Sequence, residues 1–372
     1  MKAYKIAHAA ILIYLLWIGS NSLWSQQAKN VVLADFVSTE ALYDRTTPYP
    51  YGTEPAPLAD LWGWTYTGNE YALVCLGSKG VNGSGLAMVK VTDPNNVQII
   101  KTVKRAGGSA ADNGPRDVRV FGKYAYVSQD NTSIPNYHVN LITALNSPSD
   151  PFAGVTDFGP DGKRVHNLYI NTTNGLLFLS DLITNQPIPA YDINSVTPAF
   201  KGNISAPAGG RSLDLTATTT RVYDASNIKG LTITDYTYGS GTFTPGTQRN
   251  HFYNARRGKN PNDFSLPKLD PVAHDATIST NGNYLYSTEE RLGTDDPSDR
   301  QLAAYLKIWD ISSINAPPDG NGFVTRSNEI YEILATFEFF LDILPRTCFN
   351  LPPKTRGILL LSTCSSHLPP SL

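Results

Sequence analysis

One short pattern recurs five times along this chain and leaves few folds open to it. An Asp or Asn opens a strand-like run in Asp60-Leu-Trp-Gly-Trp64, Asp117-Val-Arg-Val-Phe121, Asn167-Leu-Tyr-Ile170, Asp214-Leu-Thr-Ala217 and Asp275-Ala-Thr-Ile278, at intervals of 47 to 61 residues. A turn and a second apolar run follow each copy: EYALVCL (70–76), KYAYVS (123–128), GLLFLS (175–180), TRVYDAS (220–226) and NYLYS (283–287). Gly122-Lys123, Asn174-Gly175 and Asn281-Gly282 stand between the two runs, and residues that tolerate positive φ are what tight hairpins require. A third run ends in a polar turn at Leu86–Pro94, Ile188–Ser195, Gly230–Asp235 and Leu306–Ser313, with only a blurred version in the second unit near His138 to Ala144. A fourth is visible after the first copy (97–104) and after the fifth (329–337).

Four short strands repeated at such a period predict the blades of a β-propeller. A blade has two apolar faces and cannot bury both alone, so neighbours must stack about an axis. No part of the repeat carries an i, i+3, i+4 apolar stripe, which excludes a helical solenoid. The expected fold is therefore all-β, with about five visible four-stranded blades over 60–337 and an incomplete C-terminal end. The lead-in, 27–59, could lend a strand from Val31 to Tyr43 that closes the ring.

The 30 Lys and Arg against 32 Asp and Glu give a net charge of -2, which offers nothing to recruit a nucleic acid or an anionic membrane. Charged residues are only 17% of the chain, whereas Tyr occurs 20 times, a balance that favours pleated, half-buried surfaces over salt-bridged helices. At the N-terminus, Lys2 and Lys5 precede the apolar run Ala9 to Ile18 and a polar stretch with small residues, the three-part pattern of a secretory signal over 1–26. That run is too short to span a bilayer, which takes about 20 residues. Export to the cell surface or beyond follows, with no membrane span once the signal is removed. Three Cys cannot all pair in an oxidising compartment, and Cys75, inside YALVCLG, reads as a buried inert thiol.

The stretch DLWGWTYTGNEYALVCLGSKGVNGSGLAMVKVTDPNNVQIIKTVK, with RDVRVFGKYAYVSQD, HNLYINTTNGLLFLSD and HDATISTNGNYLYSTEE, resembles the LVIVD-repeat proteins of the choice-of-anchor B type. The resemblance implies a secreted bacterial β-propeller with a separate C-terminal anchor or sorting module that varies between members. It implies no reaction. The tail, 338–372, departs from the repeat: it holds two of the three Cys and no hairpin signal, and reads either as a poorly ordered end or as a frameshifted or truncated closing blade.

If the Asp- and Asn-opened strands are the innermost ones, Asp60, Asp117, Asn167, Asp214 and Asp275 ring one mouth of the axial channel. Five such groups could hold a hard cation such as Ca²⁺. The plainer reading is that each caps backbone N–H groups where blades meet. His166 and His274 directly precede two of these positions, and could bind a ligand or serve as hydrogen-bonded structural groups. Trp62 and Trp64 alternate with Tyr66 on the first strand, where aromatics either stack on sugar rings at the mouth or fill the space between blades. Trp309-Asp310 is weak support for the WD class, because the accompanying Gly-His pair is missing. Glu289 and Glu290 are adjacent on a strand, point to opposite faces and cannot jointly flank a bond. No nucleophile elbow, P-loop or metalloprotease motif occurs. Two functions stay open: a non-catalytic propeller that binds a protein or a glycan, and a metal-dependent propeller hydrolase with its cation at the axis.

Overall fold

The computed structural model describes residues 31–42, 58–77, 85–104, 114–130, 135–159, 164–180, 186–206, 210–226, 230–252, 272–290, 304–312, 323–324, 329–335 and 357–363. The signal segment, Cys348 and Cys364 lie outside them. The chain enters with β1 (Val31–Ser38) and a single helical turn, α1 (Thr39–Leu42). Blade I is β2 (Leu58–Tyr66), β3 (Asn69–Leu76), β4 (Gly85–Lys90) and β5 (Gln98–Lys104). Blade II is β6 (Pro115–Phe121), β7 (Tyr124–Gln129), β8 (Asn136–Asn140) and, after α2 (Leu141–Asn146), β9 (Val155–Phe158). Blade III comprises β10 (Asn167–Asn171), β11 (Leu176–Ser180), β12 (Ile188–Asp192) and β13 (Ala199–Ile204). In blade IV, β14 (Asp214–Ala217), β15 (Arg221–Ala225), β16 (Leu231–Gly239) and β17 (Thr242–Phe252) come in order. Blade V is β18 (Val272–Ile278), β19 (Tyr284–Glu290), β20 (Ala304–Asp310) and β22 (Glu329–Ala335), and the intervening β21 (Phe323–Val324) pairs parallel with β17. The last strand, β23 (Gly357–Thr363), pairs antiparallel with β1.

Among the described residues the protein is thus all-β, with five antiparallel blades set side by side. The turn chemistry read from sequence is in place, since Gly122 and Gly175 adopt φ of 60° and 67° in the hairpins that join the first two strands of blades II and III. The third strand of blade II looked blurred because it ends at Asn140, which caps α2 through a hydrogen bond from the Thr143 N–H to its side chain.

Side chains alternate along each second and third strand, so every blade presents one apolar face forward and another backward. Leu73, Cys75, Leu86 and Met88 of blade I meet Val118, Val127 and Tyr137 of blade II. Tyr126 and Phe158 of blade II meet Leu177, Leu179 and Tyr191 of blade III. Phe178 packs onto Tyr236 and Phe243 of blade IV, and Tyr223 and Ile233 onto Leu285 and Trp309 of blade V. The core therefore lies in the seams between blades, as stacking requires.

The lead-in strand behaves otherwise than a simple extension of an existing blade. Val37 and Leu42 cover the backward face of blade I at Ala72, Val74 and Ala87, while β1 pairs with β23 from the tail. The tail thus supplies a strand at 357–363 where the sequence had offered no repeat register; the rest of 338–372 lies outside the described residues.

Candidate functional site

The first strands of the blades pack on one another in the order β2, β6, β10, β14, β18, which makes them the inner strands. Their opening ends surround a funnel of about 460 Å³ lined by Asp60, Asp117, Asn167, Asp214 and Asp275, with Arg116, Arg119, His166 and His274 between them. All five strand-opening residues and both histidines named from sequence therefore converge on one mouth. In blades I, II and V the pairing of the inner strand with its neighbour shifts register beside the opener, at Leu58/Leu61, Pro115/Val118 and Ala273/Asp275. Such irregularities re-aim a side chain out of the regular pleat.

What the openers touch is mostly the next blade. The Val118 N–H donates to Asp60 Oδ2 at 3.3 Å, and the Leu168 N–H to Asp117 Oδ2 at 2.7 Å. Asp214 accepts from the N–H of Ala276 in blade V as well as from its neighbour Leu215. Asn167, an amide rather than an acid, donates instead to the Leu213 carbonyl at 2.7 Å. Each of these openers bonds to the backbone beside the following opener, a clamp repeated from blade to blade. Asp275 differs: its Oδ2 accepts from Thr288 at 2.7 Å, its Oδ1 lies 3.0 Å from His274 Nδ1, and its side chain is 52% exposed.

Arg119, which the sequence reading passed over, holds the first two clamps together. Its Nη1 donates to Asp60 at 2.7 Å and to Asp117 at 2.5 Å, and its guanidinium lies 4.4 Å from the Trp62 ring. It stands two residues after Asp117 in DVRV, on the opener's side of an alternating strand, and that spacing is the signal that could have found it. Burial pushes the Asp117 carboxyl up, and the adjoining Asp60 adds to this. Burial works the same way on Asp60, but the hydrogen bond with Asp117, the Arg119 charge and backbone amides outweigh it and hold Asp60 below the usual range. Burial and the nearby Asp275 charge push Asp214 up to about 7.

A second charged group lies where blades II and III meet. Asp130, almost wholly buried, accepts from Arg164 Nε at 2.7 Å and faces Arg116 Nε at 3.7 Å and His166 Nδ1 at 3.5 Å. Arg116 Nη2 lies 3.2 Å from His166 Nε2. A guanidinium can only donate, so Nε2 is the accepting nitrogen and the ring proton sits on Nδ1, toward Asp130.

The two tryptophans part company. Trp64 is buried, stacked on Tyr66 with ring centroids 5.2 Å apart, and its Nε1 donates to the Gly122 carbonyl, so it fills the seam between blades I and II and is removed from the candidate ligand residues. Trp62 is 39% exposed against Arg119. Cys75 is wholly buried, and burial pushes its thiol well up, as an inert core residue requires. Among the described residues no three His, Cys, Asp or Glu side chains are grouped so as to hold a metal ion.

No family model and no curated protein sequence matches the chain. Among solved structures, it is similar to a functionally unknown protein from Desulfotomaculum acetoxidans, at 12% identity and a TM-score of 0.46 over 75% of this chain and 70% of that one. A hypothetical selenium-binding protein from Sulfolobus tokodaii is similar at 14% identity and a TM-score of 0.46, over 71% of this chain and 59% of its own. The N-terminal domain of Nup159 is similar at 11% identity and a TM-score of 0.41, over 76% and 64%. These scores lend no weight to any activity.

Proposed function

We propose that this chain is an exported β-propeller of the LVIVD-repeat, choice-of-anchor B type, acting as a non-catalytic binding module with a protein or glycan ligand at the axial funnel. The observation that supports this reading is how the funnel's acids are engaged. Asp60, Asp117 and Asp214 each hold backbone N–H groups of the next blade, and Arg119 joins two of them, so the groups best placed for acid–base chemistry already have structural partners. Arg116 and the paired His274 and Asp275 line the same funnel, and the half-exposed Trp62 lies beside Arg119, a set of groups suited to recognition. A funnel of about 460 Å³ lies within the ~300–1,000 Å³ range of small-ligand sites. Glycan-array and pull-down assays with the secreted chain test the reading, with Trp62→Ala and His274→Ala as partners. Ligands lost by both variants at unchanged thermal midpoint support it; identical ligand sets for wild type and both variants overturn it. Export is checked separately by sequencing the mature N-terminus, expected after Ser22 or nearer Gln26.

One arrangement favours a second reading, a cation-dependent propeller hydrolase. Asp60, Asp117, Asp214 and Asp275 all line the funnel, and a hard cation such as Ca²⁺ held among them would offset their like charge. A chelator should then lower the thermal midpoint, and added Ca²⁺ should restore it. An unchanged midpoint leaves the binding module.

A further inference from the structure

The funnel is electrically lopsided. On the side of blades IV and V stand Asp214 and Asp275, with His274 lining the same wall and the Arg119 charge also acting on Asp214. On the side of blades II and III, Arg116 lines the funnel with Asp117 and shares the carboxylate of Asp130 with Arg164. Both arginine side chains are about a third exposed, at 36% and 37%, whereas Asp130 is 6% exposed and cannot turn outward to meet a ligand. Arg119 is engaged through Nη1, which donates to Asp60, Asp117 and the Val118 carbonyl.

Arg116 has donor capacity left over. A guanidinium carries five N–H donors in a planar fork. At Arg116, one hydrogen bond goes to His166 Nε2 at 3.2 Å, and the 3.7 Å approach to Asp130 is longer than a hydrogen bond. Arg116 lines the funnel, and its other donors have no hydrogen-bond acceptor among the described residues. A planar carboxylate is the natural complement, because it can take two parallel N–H···O bonds from such a fork. The opposite wall offers carboxylate oxygens and an imidazole, groups that bond to hydroxyls, and Trp62 adds an exposed indole beside Arg119, a surface on which a sugar ring can lie.

The geometry points to an acidic sugar as the ligand, a uronic acid whose carboxylate docks on Arg116 and whose hydroxyls meet the Asp214–Asp275 wall. This rests on the funnel being the binding site of the proposed module. It favours a saccharide over an acidic peptide because the carboxylate oxygens of Asp214 and Asp275 accept from hydroxyls, which a sugar carries and a peptide of acidic residues lacks.

Titration of the full secreted chain with tetragalacturonate, maltotetraose and a tetraglutamate peptide at low salt tests it. We expect tetragalacturonate to bind at least tenfold more tightly than either of the others, Arg116→Gln to lose at least tenfold, and Arg116→Lys, which keeps the charge without the fork, to lose part of that. Circular dichroism on the same samples establishes that both variants are folded. Tetraglutamate binding as tightly as the uronate, or uronate binding untouched by a folded Arg116→Gln, overturns the inference. Maltotetraose binding equally well, and lost in Trp62→Ala, overturns the acidic ligand while the funnel remains a saccharide site. Failure of both saccharides to bind removes the sugar reading altogether.

Discussion

At the residue scale the chain depends on a few buried charges whose partners sit on other blades. Removing Arg119 leaves Asp60 and Asp117 close together without their shared cation, and breaking such a partly buried pair costs about 3 kcal/mol. Arg119→Met should therefore lower the urea midpoint far more than replacement of an exposed arginine. Asp224 is a different case. It is a buried carboxyl that accepts hydrogen bonds from Ser212 and Ser226, with no cation beside it among the described residues, and burial raises its pKa from 3.8 to about 6. Because the folded state holds the proton more tightly than the unfolded chain, this group favours folding at low pH, and that contribution is lost as pH rises from about 4 through 6. A shift of that size amounts to roughly 3 kcal/mol. Asp224→Asn should equal the wild type in thermal midpoint at pH 4 and exceed it at pH 8. The opposite shifts of Asp130 and Asp275 are common to both proteins and cancel in the comparison.

At the scale of elements, the insertion of α2 between the third and fourth strands of blade II is held from the neighbouring blade. Lys101, on the outer strand β5, sends its buried ammonium into the end of this insertion, where Nζ donates to the carbonyls of Ala144 at 3.1 Å, Ser147 at 2.6 Å and Asp150 at 2.5 Å. The three N–H groups of one lysine thus satisfy three acceptors around the helix C-terminus, where a cation is also favoured by the helix dipole. Lys101→Met removes all three bonds while keeping the aliphatic stem. We expect it to destabilise the protein by about 2–3 kcal/mol, the range for losing hydrogen bonds to a charged group, with faster amide exchange confined at first to 141–154. Sequence showed this region only as a strand that fades after His138. The helix was not legible because six residues are too few for an apolar stripe, and its lysine cap lies more than 40 positions away.

At the scale of the whole molecule, the residue after each opener reports how the ring is built. Val118, Leu168, Leu215 and Ala276 are 0%, 1%, 2% and 2% exposed, each pressed into a seam, whereas Leu61, at the same repeat position in blade I, is 51% exposed. No inner strand covers it among the described residues. Leu168→Ala should cost about 2–5 kcal/mol, and Leu61→Ala about 0.5 kcal/mol or less, for the same change at the same place in the motif. Equal costs in chemical denaturation would mean that Leu61 is covered in solution. Some of this architecture was legible in the residues alone. The period of the Asp-opened strands, the Gly and Asn turns and the alternation of apolar residues are local properties, because strand twist, φ preference and side-chain direction are set within a few neighbouring residues, and together they determined blades, hairpins and an axis ringed by acids. The partner of each acid was decided by the tertiary structure. That Arg119 neutralises Asp60 from 59 residues away, that Asp117 reaches Leu168, and that Trp64 is sealed in a seam while Trp62 stays in water depend on how one blade is seated on the next. Charge pairing and burial act through space at distances of a few ångströms, and only the folded chain sets those distances.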